Sequence, residues 1–200
     1  MTNSRMRFAA IKNLLMQFYR DLPLRWVAVA VALLIAAVWV GGLLATEKFR
    51  RALLRFPRNF MAGVVLISIT AVWCTAIVSQ ANSVNILAPK WVGYFIIWFL
   101  CVGSVIGSLD YLAVRALSAL LLMIAKVMVD AAFTVDTPAR LLVPVLAYVW
   151  VILGMWWPLS PWRCRNAIEW MTASDARTKA VSGVHLAIAL VLVVFAFAFY

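Results

Sequence analysis

Apolar residues run along this chain in six unbroken blocks, roughly 26–45, 61–79, 91–107, 111–131, 141–158 and 182–200, with short polar segments between them. About 20 residues rising about 1.5 Å each cross the hydrocarbon of a bilayer, so blocks of this length predict membrane spans. In lipid the backbone must satisfy its own hydrogen bonds, which makes each block a helix. A transmembrane barrel would alternate apolar and polar residues, and these blocks are continuous. The expected fold is all-α: a polytopic transmembrane helical bundle of six spans, with five as the alternative, and short interfacial amphipathic helices.

The connecting segments have patterns of their own. Residues 1–25 form a basic segment ahead of the transmembrane domain at 26–200. Its stretch 5–20 sets Met6, Ala9, Ala10, Leu14 and Phe18 among Arg5, Arg7, Lys12 and Arg20, the pattern of a helix lying in the headgroup region. Residues 46–60 predict a second amphipathic helix, capped by Thr46 and stopping before Pro57. Ser108 or Asp110 is placed to cap the helix after the tight turn at 108–110. Residues 134–140 form another short turn. Within the polar segment 160–179, residues 164–172 predict a further surface helix. The first block has an apolar stretch too long for a signal-peptide core and no small-x-small site after it, so it is expected to be retained.

Composition agrees with the pattern. Of 200 residues, 66% are hydrophobic and 12% charged, with a mean hydropathy of +1.00, whereas a soluble domain is about half apolar and about a quarter charged. The net charge of +11 raises the question of nucleic acid. Ten of the 18 Lys and Arg, however, lie in 1–25 and 46–60, beside spans. Charge placed there sets topology and attracts anionic headgroups, so the expected partner is a bilayer with anionic headgroups and not nucleic acid. If the loop after the first block is cytoplasmic, that side collects ten basic residues, and this orientation is preferred. The first block stays frustrated because both of its flanks are basic. If it fails to cross, both flanks lie on one side and five spans remain.

Trp26, Trp91, Tyr94, Trp150, Trp156, Trp157, Trp162 and Trp170 fall near block edges, where an amphipathic ring anchors to the interface. Trp39 and Trp73 lie deeper and read as packing residues.

Residues able to carry chemistry are few. The fourth block holds Arg115, Lys126 and Asp130, and an ionisable residue within a span marks a candidate polar site. Arg115 and Lys126 share a helix face, and Asp130 is placed to pair with Lys126. The same spacing lets the two cations reach opposite interfaces by extending their side chains, which is the preferred expectation. Gly103 and Gly107 form a GxxxG, in which small residues four apart let helices approach closely, within the fold or between subunits. His185 is the only histidine, which rules out a bis-histidine haem or a histidine metal cluster within this chain. Pro144 is expected to bend the fifth span or to occupy its first turn. Cys74, Cys101 and Cys164 imply no disulfide or metal framework. No P-loop, GxSxG, HExxH or CxxC is present. No catalytic residue, cofactor or metal is expected.

In the last 60 residues Gly154 sits in an apolar helix, followed by Pro161-Trp162-Arg163, a short amphipathic stretch at 168–171, Asp175-Ala-Arg177 and a final apolar helix. Over about residues 146–200 this resembles the YjeT-like family of small two-helix bacterial inner-membrane proteins, although this chain has four further blocks. The resemblance implies an inner-membrane hairpin with a cytoplasmic basic loop and no known activity. The expectation is therefore a multi-pass bacterial inner-membrane protein acting as a non-enzymatic structural, accessory or assembly subunit, with a membrane-protein partner or a second copy of itself. A small-solute transporter or channel using the fourth span is the alternative, and a lipid-modifying enzyme ranks third.

Overall fold

A computed structural model describes residues 23–80, 90–107 and 111–200, and among these it is helical with no strand. Eight α-helices follow in order: α1 (Leu24–Leu44), α2 (Thr46–Arg55), α3 (Phe60–Gln80), α4 (Lys90–Gly107), α5 (Leu112–Phe133), α6 (Leu142–Leu159), α7 (Pro161–Met171) and α8 (Asp175–Ala198). The amphipathic segment expected at 5–20 and the caps expected at Ser108 or Asp110 lie outside the described residues.

Among the described residues five helices are long and apolar enough to cross a membrane: Leu24–Leu44, Phe60–Ser79, Leu112–Phe133, Pro138–Leu159 and Asp175–Ala198. Trp91–Gly107 is apolar but shorter. The chain is thus a multi-pass membrane protein by the length and composition of its helices. Among the described residues the shorter helix belongs to the third block and not to the first, whose basic flanks left its crossing in doubt. α1 is a full-length member of the core.

Three helix pairs build the bundle, and each is set by small residues. α1 and α8 run antiparallel. A methyl on Gly42 would collide with Ser182, and Trp39 stacks on His185 at 4.0 Å between ring centroids. Along this seam α1 offers Ala28, Ala32, Ile35, Trp39 and Gly42, and α8 offers Ser182, His185, Ala189, Leu192 and Ala196. Both sets step by alternating threes and fours, the spacing that keeps one stripe facing a partner helix. Ala28, Ala32, Ile35, Ala189, Leu192 and Ala196 are buried in one cluster with Ala125, Met128, Ala131, Ala132, Val143 and Ala147 from α5 and α6. With so many alanines and a glycine, backbones approach closely, which dispersion rewards where lipid offers no hydrophobic drive.

α5 and α6 are also antiparallel. A Cβ on Gly154 would lie 2.9 Å from Leu122 and 3.0 Å from the Ser118 carbonyl. α3 and α5 run parallel, with Gly63 against Leu112 and Ala113, Ile67 clustered with Leu112 and Ala116, and Cys74 beside Met123. The return helix α4 lies on the outer side of α3, touching it through Gly93 and Val78 and through Cys101 and Val105. α5 is therefore the central helix, packed against α1, α3 and α6.

Helix boundaries depart from expectation for local reasons. α8 begins seven residues before the apolar block, because Ser174 caps it by accepting from the Arg177 N–H at 3.2 Å and Asp175 complements the helix dipole. α7 begins at Pro161, whose fixed φ suits the first helical turn. Pro144 sits in the first turn of α6, after a 3-10 turn at Pro138–Leu141. Thr46 does not cap α2. It is already helical, and its hydroxyl donates back to the Gly42 carbonyl at 2.9 Å.

Candidate functional site

The charged stripe that the sequence singles out lies on α5. Arg115 lies in the first turn of α5, while Lys126 and Asp130 lie toward its other end. Eleven residues separate the two cations, a rise of about 16 Å on nearly the same face. Lys126 Nζ pairs with Asp130 Oδ2 across one turn, and their side chains are 52% and 55% exposed. The buried face of this helix is made by Ala125, Met128, Ala131 and Ala132, packed into the core. All three charged residues therefore point outward, and they do not converge on a shared chamber.

The bundle interior is correspondingly uncharged. Among the described residues the buried polar side chains are Thr70, Ser118, Thr172, Thr178 and Ser182. Four of these hydroxyls donate to the carbonyl one turn back in their own helix or just ahead of it: Thr70 to Leu66, Ser118 to Val114, Thr172 to Ile168 and Thr178 to Ser174. Ser182 Oγ alone among them is buried without a partner, at the α1–α8 crossing.

Among the described residues, nothing packs on the two glycines of the GxxxG. A Cβ on Gly103 or Gly107 would meet no atom within 4 Å. The close helix approaches are made instead by Gly42, Gly63 and Gly154, none of which lies in a GxxxG.

The densest polar chemistry is at one end of the bundle, where α1 leaves, α5 starts, α6 ends and α8 begins. Two short helices close this end. α2 turns Phe49 against Trp39, with ring centroids 5.7 Å apart, and Leu53 into a cluster built on Val114, Cys164 and Ile168, which Tyr111, Trp157 and Met171 complete. α7 contributes Cys164, Ile168 and Met171 to the same cluster. In α7 the apolar residues recur at four and then three positions, and in α2 Phe49 and Leu53 are four apart, so each helix lays one stripe on the bundle and turns the rest outward. The stripe was readable; what it packs on was not.

The end so closed gathers Lys48, Arg50, Arg51, Arg55, Arg58, Arg115, Arg163, Arg165, Arg177 and Lys179, with Glu47, Glu169 and Asp175 as its described carboxylates. The described side chains at the other end are Arg25, Lys126 and Arg140, with Asp130 and Asp136. Arg50 Nη1 bonds Asp175 Oδ1 at 2.5 Å, tying α2 to the start of α8. Arg165 Nε lies 3.3 Å from Glu169 Oε1 and its Nη1 lies 3.4 Å from the Tyr111 hydroxyl. Arg51 pairs with Glu47. Tyr111 takes a left-handed backbone, φ 65°, just before α5, a conformation costing a non-glycine residue roughly 1 kcal/mol or more. Its ring in the Cys164 cluster and its contact with Arg165 hold it there. Burial pushes the Cys164 thiol up to about 11, which keeps it protonated and unreactive.

Trp156, Trp162 and Trp170 ring this end, 46%, 52% and 61% exposed. Arg163 lies over Trp156, with Cζ 4.8 Å from the ring centroid, and Arg177 over Trp170 at 5.0 Å. His185 Nδ1 lies 2.8 Å from the Val181 carbonyl. A carbonyl only accepts, so Nδ1 carries the proton, and the ring is fixed between its own helix and Trp39. Among the described residues no group of three or more His, Cys, Asp or Glu is placed to hold a metal ion. Compared with protein-family models, curated proteins and solved structures, the chain matches none.

Proposed function

We propose that this protein is a non-enzymatic structural, accessory or assembly subunit of a bacterial inner membrane, with its basic end in the cytoplasm. The observation that carries this reading is the uncharged interior, with few buried polar groups among the described residues. A solute path needs polar groups facing one another across helices, and here four of the five buried hydroxyls are bonded to a carbonyl one turn back, Ser182 standing alone at the α1–α8 crossing, while the α5 charges face out. The asymmetry of Lys and Arg between the two ends supports the orientation, by the positive-inside tendency of membrane proteins. The resemblance of residues 146–200 to the YjeT-like family is in keeping with both the inner-membrane location and the cytoplasmic basic loop.

Affinity purification in mild detergent, with identification of co-purifying chains, tests the role. A stoichiometric membrane-protein partner is expected, and recovery of this chain alone at every detergent strength would count against it. Flux in proteoliposomes tests the transporter alternative. Solute uptake abolished by Lys126→Ala with Asp130→Ala, in a protein that still folds, would replace the scaffold reading. Labelling of a cysteine introduced at position 3 in intact cells tests orientation, and reaction only from the cytoplasm would place both flanks of α1 on one side.

A further inference from the structure

We propose that Arg163 with Trp156, and Arg177 with Trp170, form two clamps for the phosphodiester of anionic phospholipids. The inference rests on the membrane reading above, but on different residues from those that carry it. Arg50, Arg51 and Arg165 each meet a carboxylate. Among the described residues Arg163 and Arg177 meet none. Each instead lays its guanidinium over an exposed indole, and Arg177 is steadied further by donating from Nη1 to the Trp170 carbonyl at 3.2 Å.

A stacked guanidinium has its flat face covered while its edge keeps a fork of N–H donors. That fork matches two oxygens of a phosphate, which a lysine ammonium cannot do. Tryptophan favours the headgroup level, so the stacks hold the forks at phosphate depth. Both stacks sit where α6 ends and α8 begins, on either side of α7. Seven residues of α7 separate Arg163 from Trp170, a rise of about 10 Å, so each clamp takes its own headgroup. A zwitterionic headgroup brings a cation that competes for its phosphate, whereas an uncharged glycerol headgroup leaves the phosphate to the arginine. The local excess of Lys and Arg adds attraction for anionic lipid generally. The stacks add recognition of the phosphodiester.

The test uses the full chain in phosphatidylcholine micelles titrated with phosphatidylglycerol, followed by the unfolding midpoint, each variant being scored against its own midpoint in phosphatidylcholine. Phosphatidylglycerol is expected to raise the midpoint, and Arg163→Gln and Arg177→Gln each to weaken its apparent affinity about fivefold. Arg163→Lys and Arg177→Lys are expected to lose nearly as much, and Arg51→Gln with Arg55→Gln to lose little. Should a Gln variant not fold, Trp156→Leu and Trp170→Leu address the same stacks and are expected to weaken affinity as well. Lysine variants that match wild type, or stack variants without effect, would overturn the clamps in favour of diffuse charge. An equal shift from inorganic phosphate would overturn the lipid as occupant. Flotation with phosphatidylcholine vesicles scores the membrane reading separately: a chain that does not float refutes spanning, whereas one that floats but lacks these selectivities refutes the clamps alone.

Discussion

Gly42→Ala places one methyl at the tightest helix crossing in the molecule. The added carbon would fall inside the contact radius of Ser182 Oγ, 2.9 Å from Ser182 Cβ and 3.2 Å from the Phe49 ring. Rotating Ser182 relieves the first contact but not the second, so α1 and α8 must separate or the side chains leave their rotamers. Overpacking of this kind costs about 1–3 kcal/mol, and the better helix propensity of alanine returns about 1 kcal/mol. A net loss of up to about 2 kcal/mol follows. Ser182→Ala supplies the counterpart. It removes a buried hydroxyl without a partner, so alone it should be neutral or stabilising by up to about 1 kcal/mol. In the double variant the Oγ collision is gone while the Cβ contact stays, which predicts a partial rescue with coupling of about 1 kcal/mol. Reversible unfolding by SDS titration in mixed micelles, run on all four proteins, measures the cycle. Gly42→Ala more stable than wild type, or the two changes simply additive, would refute the α1–α8 seam as described.

Replacing Gly103 or Gly107 by Leu should leave the stability of the isolated chain within about 0.5 kcal/mol, since no atom waits within 4 Å; a larger loss by the same titration would show that α4 packs more closely. Asp130→Leu, which takes the carboxylate from Lys126, should destabilise more than Lys126→Leu with Asp130→Leu together, because a cation without its counter-ion is costlier in lipid than no charge; the reverse order would show that the pair does not act as a pair. Cys164 has its thiol raised from 9.0 to about 11 in the folded protein. The unfolded chain therefore loses that proton first, and the contribution to stability is intact below pH 9 and lost as pH rises toward about 11. A pH series of unfolding midpoints, with Cys164→Ala lacking this part of the decline, checks the sign, and iodoacetamide at pH 8 should modify Cys164 only after denaturation.

The apolar blocks made the spans legible because lipid imposes one rule on every residue of a block. Length and hydropathy alone locate α1, α3, α5, α6 and α8 to within a few residues, apart from the early start of α8. Partner choice was harder to read. In water, the hydrophobic face of a helix marks its contact side; in lipid, both sides are apolar, and the contact side is marked by size. The alternating three-and-four spacing of Ala28, Ala32, Ile35, Trp39 and Gly42, and of Ser182, His185, Ala189, Leu192 and Ala196, was present in the sequence as that signal. The more familiar GxxxG at Gly103 lies on a face that no other described residue covers. The charged residues of α5 were found correctly as a stripe, but their outward direction depends on which helices flank α5. That depends on the parallel packing of α3 and α5 around an outlying α4, which no local pattern encodes. Arg163 and Arg177 were counted as basic residues only, because their stacking partners lie seven residues away and across a helix boundary.

The pairing of α1 with α8 has a consequence in time. Among the described spans α1 is made before the others and docks against α8, with the 154 residues from Ala45 to Ala198 still to be translated when α1 ends. At roughly 5–20 residues per second, α1 waits for about 8–30 seconds before its partner exists. During that interval the Ala28–Gly42 stripe faces lipid, insertion machinery or another protein, and α5 and α6 reach it before α8 does. The seam between α1 and α8 therefore closes only after every helix between them has been made, and the stripe on α1 stays open to other contacts until then.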